Sequence, residues 1–134
     1  MPLQLDIVTP EKSIFSGLVD HVYLPGADGE MGILPQHMAL MTQLAAGEIT
    51  ARKGAETIFL AVGNGFVQVT GASVSVLTDM AIKADDIDEA KAEEARKKAE
   101  ARLAQKMSDE ETATVQAALM HALTQLHVKR RHSR

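Results

Sequence analysis

The stretch Thr57-Ile58-Phe59-Leu60-Ala61-Val62-Gly63-Asn64-Gly65-Phe66-Val67-Gln68-Val69-Thr70 decides how the first part of this chain folds. Two runs of β-branched and aromatic residues flank Gly-Asn-Gly, a turn whose residues tolerate positive φ, and the pattern predicts a hairpin. Outward from it, Lys53-Gly54 separates Ile49–Arg52 from Glu56–Val62 in the same way. Leu3, Leu5 and Ile7 alternate with Gln4 and Asp6, and Val74 and Val76 alternate with Ser73 and Ser75. Turn signals near Pro10, Gly17, Pro25–Gly29, Pro35, Gly47, Gly54, Gly63 and Gly71 recur about every 8–12 residues, the rhythm of an antiparallel sandwich or barrel. About eight to ten short strands in two packed sheets are expected.

Every glycine, proline and aromatic residue lies at or before Gly71. From Ala84 onward the chain is built of Ala, Glu, Lys, Arg, Leu and Gln, strong helix formers without a breaker. Strands followed by helices argue for an α+β protein: an N-terminal antiparallel β-sandwich over residues 1–84 and a C-terminal antiparallel helical hairpin over 85–134. Asp86 with Glu89 reads as a capping box that opens a first helix from about Ile87 to Lys106. Ser108 with Glu111 opens a second, running to about Arg130. The apolar stripes are narrow: Ala92, Ala95, Ala99, Leu103 and Met107 on the first helix, and Val115, Ala118, Leu119, Ala122 and Leu126 on the second. A seam so rich in alanine gains little per contact, so the hairpin is expected to fold against itself, lie on the sandwich or open along another protein at comparable free energy, and the second helix to leave its partner at small cost.

Charge narrows the function. Residues 1–84 carry four Lys/Arg against eight Asp/Glu, residues 85–111 six against ten, and residues 112–134 four bases and no acid. A weakly acidic chain with one small basic end is a poor nucleic-acid binder, and that end suits an acidic protein surface. The absence of cysteine fits a reducing compartment. No apolar run approaches the ~20 residues that cross a bilayer, and no charged segment precedes an apolar stretch at the start. A soluble protein that meets membranes only through a partner is expected.

The segment Pro25–His37 packs three glycines and two prolines into thirteen residues and is expected to be a shaped loop that presents Asp28, Glu30 and His37. Its G-x-x-G-x-x-G spacing is neither a dinucleotide fingerprint nor a phosphate loop. The histidines at 21, 37, 121, 127 and 132 form no i, i+4 pair on a helix, so no metal site is expected, and no nucleophile has a visible base. Enzymatic activity is not expected, nor is a cofactor.

The order of elements resembles the epsilon subunit of bacterial F-type ATP synthases across essentially the whole chain. The likeness rests on Leu5-Asp6-Ile7-Val8-Thr9-Pro10-Glu11, on Pro25-Gly26 through Gly32-Ile33-Leu34-Pro35-Gln36-His37 with Leu40 and Thr42, on Val62-Gly63-Asn64-Gly65-Phe66, and on Ile87-Asp88-Glu89-Ala90-Lys91-Ala92. The resemblance implies a sandwich and a helical hairpin on the rotor, bound to the gamma subunit and touching the c ring. It implies a peripheral place at the cytoplasmic face of the membrane, in a complex that also contains alpha and beta subunits and moves protons or sodium. It further implies helices that restrain ATP hydrolysis.

Asp28, Glu30 and His37 would then contact the c ring or gamma, and Lys129, Arg130, Arg131 and Arg134 would dock the inhibitory helix on the catalytic head. The family's nucleotide signature survives only in vestige. Asp88 matches it, while Lys91 and Lys98 stand for arginines, Ile82 for a carboxylate, and His121 and Gln125 for two further arginines. Lysine keeps the charge and loses the bidentate fork. A β-sandwich adaptor or nucleotide-sensing regulator of another assembly is the alternative.

Overall fold

The computed structural model describes residues 2–35 and 39–132. Ten strands come first: β1 Leu3–Val8, β2 Ser13–Val19, β3 His21–Gly26, β4 Gly29–Ile33, β5 Leu40–Leu44, β6 Gly47–Lys53, β7 Glu56–Val62, β8 Gly65–Thr70, β9 Ser73–Thr78 and β10 Ala81–Lys83. A 3₁₀ turn at Ala84–Asp86 leads into α1, Glu89–Leu103, and α2, Asp109–His132. This is the sandwich-then-hairpin order that the residue pattern predicts.

Hydrogen bonding links the strands in the order β10-β7-β6-β3-β5-β8-β9-β1-β2, with β4 paired to β3. The join between β3 and β5 is a single residue pair, Gly26 with Leu44, so the sheet turns a corner there and folds over itself. Period-two alternation supplies the core: Leu3, Leu5, Ile7, Val22, Leu24, Ile49, Leu60, Val67, Val69, Val74 and Val76 are fully buried. Pairing is antiparallel throughout except between β1 and β9, which run parallel. Alternation alone gives no sign of that exception, because it reports a face and not a direction.

Two expectations about turns need correction. Gly63-Asn64-Gly65 does not close a hairpin: β7 pairs with β6 and β10, whereas β8 pairs with β5 and β9. The turn carries the chain from one half of the sandwich to the other. Its glycines are needed for space, not for positive φ, which the structure gives to Gly29, Gly54 and Gly71. A Cβ on Gly65 would lie 1.9 Å from the Leu77 carbonyl oxygen. The β6–β7 hairpin, in contrast, turns at Gly54 as expected, with φ +61°. The segment from Pro25 is likewise less irregular than expected. It forms the β3–β4 hairpin, with Gly26 opposite Gly29 and Gly32 opposite Tyr23.

The first helix starts later than the sequence reading places it. Asp88, not Asp86, caps α1, its carboxylate accepting from the Lys91 amide at 3.1 Å. Ile87 is instead buried with Ala61, Ala84 and Val128. Ser108 caps α2 as expected, accepting from the Glu111 amide at 3.1 Å and donating to the Glu111 carboxylate at 3.0 Å.

Candidate functional site

The second helix is not a lightly held rod. Ala122, Thr124, Leu126 and Val128 are all buried, two stripes where the sequence reading saw one. A helix that buries residues two apart is wedged between two partners, here α1 and the face of β6 and β7. Ala118, expected on the seam, is exposed. On β7 the inward Leu60 and Val62 fill the core, while the outward Ala61 lies under Val128, both fully buried. Alanine at 61 leaves room for the helix to approach.

Of the basic residues assigned to docking, Arg130 and Arg131 are occupied by the protein's own acids and Lys129 by a backbone carbonyl. Arg130 donates to Glu89 and to Glu93 of α1, each at 2.9 Å. Lys129 donates to the Ala84 carbonyl at 3.3 Å. Arg131 pairs with Glu48 of β6 at 3.2 Å, and His132 also bonds Glu48 while stacking on Phe59, ring centroids 3.6 Å apart. Arg134 and His37 lie outside the described residues. Hydrogen bonding from Arg96 foremost, with Arg130 assisting, holds the Glu93 carboxyl below the usual carboxylate range.

At the other end of the arm's contact, His121 Nε2 lies 3.3 Å from Asp79. The pair fits because residue 63 is glycine: a Cβ there would come within 1.9 Å of the Asp79 carboxylate and 3.1 Å of His121. Asn64 earns its place separately, its side-chain oxygen accepting from the Ala46 amide at 3.2 Å.

Asp28 is exposed at the tip of the β3–β4 hairpin, and Glu30 is exposed on β4. Glu30, Glu48, His127 and Arg131 line one open cleft, so two sets of residues assigned separately from sequence meet at the last turn of α2. Asp88 is engaged as a cap, Lys91 is exposed, and Lys98 pairs with Glu94 at 3.1 Å on the open face of α1. Glu48, Phe59, Asp79 and Val128 were missed. Val128 had a signal, since Thr124 and Val128 continue a second i, i+4 stripe, but nothing near Glu48 marks it.

Residues 2–84 match the model of the ATP synthase delta/epsilon chain β-sandwich domain, and residues 85–130 match that of its long α-helix domain. The chain belongs to the ATP synthase delta/epsilon family. ATP synthase epsilon chains of Dehalococcoides mccartyi are 47% identical over 97% of this chain and 96% of their own length. Those of Desulforamulus reducens and Acidithiobacillus ferridurans are each 42% identical, over 92% and 98% of this chain and 93% of theirs. A chain of the Euglena gracilis mitochondrial ATP synthase, solved with its F1 and c ring, shares the fold: TM-score 0.74, 23% identity, covering 92% of this chain and 78% of that one. Like its epsilon-chain relatives in this family, it is a non-catalytic subunit. Among the described residues no helix is long and apolar enough to cross a membrane.

Proposed function

We propose that this chain is the epsilon subunit on the central stalk of a proton- or sodium-translocating F-type ATP synthase, with residues 1–84 as the docking body and 85–134 as a regulatory arm. The observation that carries the reading is the match of both parts of the chain, at 42–47% identity over nearly the full length, to epsilon chains. Its partners are the gamma subunit, the c ring and the alpha and beta subunits, and it works at the cytoplasmic face of the membrane. Asp28 and Glu30 meet polar loops of the c ring, together with His37. The exposed tip of the β3–β4 hairpin supports this.

The gamma subunit covers an apolar patch on the outer face of β5, β8 and β9. Phe66 and Leu77 are direct cross-strand partners there, 55% and 58% exposed, on the half of the sandwich opposite to the one that α2 packs on. The arm restrains ATP hydrolysis when α2 leaves the body and lays Lys129, Arg130, Arg131 and Arg134 along acidic surfaces of the catalytic head. Asp88, Lys91 and Lys98 bind nucleotide weakly or not at all, because lysine lacks the fork that grips phosphate.

Deletion of Ser108–Arg134 tests the regulatory reading in the assembled enzyme. Assembly and ion-driven synthesis persist, ATP hydrolysis rises, and the rise shrinks at high salt, where the intact arm docks less well. Unchanged hydrolysis after the deletion sinks the inhibitory role.

A further inference from the structure

Glu48 is an acid without a task in the docking body, yet its side chain is only 11% exposed. What covers it is the last turn of α2. Arg131 and His132 both reach its carboxylate, and His132 is fixed in turn by its face-to-face stack on Phe59, two strand positions away across the β6–β7 pair. Arg131 alone is 61% exposed and its pair is weak, as solvent-exposed ion pairs are. The largely buried carboxylate with two charged or charge-capable donors is worth more, because removing one partner leaves a desolvated group unmatched.

We propose that Glu48 is the body's half of a latch that holds the arm down, and that this latch competes with the catalytic head for the cation of Arg131. The inference rests on the inhibitory role of the arm only for its consequence, not for the latch itself. Arg131 cannot serve Glu48 and an acidic surface of another subunit together, so every gain in the latch is a loss in docking. The sign is therefore opposite for the two partners. Loss of Glu48 frees a fully charged arm and deepens inhibition, whereas loss of the arm's bases frees an arm that no longer docks.

The alternative is that Val128, buried against Ala61, Ala84 and Ile87, holds the arm with no help from charge. Hydrogen exchange of the isolated full-length subunit separates the two. In Glu48→Gln, the amides of residues 122–132 exchange about tenfold faster, the effect of losing one charge-assisted bond, while β1 and β9 keep their protection. Unchanged exchange over 122–132 overturns the latch. Should β1 and β9 lose protection as well, the double variant Arg131→Gln/His132→Gln, which alters only the last turn of α2, decides by the same criterion. In the assembled enzyme Glu48→Gln lowers ATP hydrolysis. Faster exchange without that drop keeps the latch and counts against the inhibitory reading instead.

Discussion

Arg130 of α2 reaches Glu93 of α1, Nη2 to Oε2 at 2.9 Å, and the same guanidinium holds Glu89 one turn away. This clamp joins two residues 37 apart in sequence, at the end of the hairpin away from its turn. It also shows that a basic tail without acids of its own is not thereby free. The acids it meets lie on α1 and β6.

Glu93 gives the clamp a pH dependence. Its carboxyl is held below the usual carboxylate range, chiefly by Arg96, so ionised Glu93 stabilises the folded hairpin. That contribution is complete above the ordinary glutamate range and is lost as pH falls through the lower, folded value. The helical signal should therefore soften on acidification, and Glu93→Gln should flatten this part of the profile. A profile unchanged by Glu93→Gln would show that other carboxylates set it.

Val128→Ala removes two buried methyl groups from the cluster that α2 forms with Ala61, Ala84 and Ile87. The expected loss is about 2 kcal/mol, borne by the docked arm and not by the sandwich. Hydrogen exchange should show it as faster opening of α2 with β8 and β9 unaffected. Equal loss across both parts would mean that arm and body unfold together.

Gly65→Ala and Gly63→Ala should differ in kind. The new Cβ at 65 meets backbone, the Leu77 carbonyl, and the sheet must shift, at about 1–3 kcal/mol of overall stability. At 63 it meets the end of the Asp79 side chain, which can swing away at the expense of its pairing with His121. Denaturant titration should find Gly65→Ala destabilised throughout, and Gly63→Ala altered mainly in arm protection.

Phe66→Ser with Leu77→Ser tests the outer face. Both side chains are more than half exposed, so the isolated subunit should keep its melting temperature to within a few degrees. Binding to the gamma subunit should weaken at least about tenfold, as for loss of a central apolar anchor. Undiminished binding would move the gamma contact to another face.

Much of the body was legible because alternation is a local signal. Leu3, Leu5 and Ile7, or Val74 and Val76, declare a buried face from their own neighbours alone. Ser108 with Glu111 likewise declares where a helix begins, since the cap is made within four residues. The turn at Gly63 was misread for a related reason. Hairpin chemistry and close approach to another element both select glycine, and only the packing of Asp79, His121 and Leu77 around it tells them apart.

The division into a strand-built body and a breaker-free arm, the periodicity that fills the sandwich, and the tail of bases without acids are all written in the order of the residues. Tertiary structure alone decided where those bases go. Glu48 and His132 are 84 residues apart, and neither carries a local mark of the other. Charge complementarity at that separation depends on which face of β6 and β7 the helix covers, a choice made by the packing of Val128 on Ala61. Alternation says that a residue is buried, but the partner that buries it is settled only when the whole chain has folded.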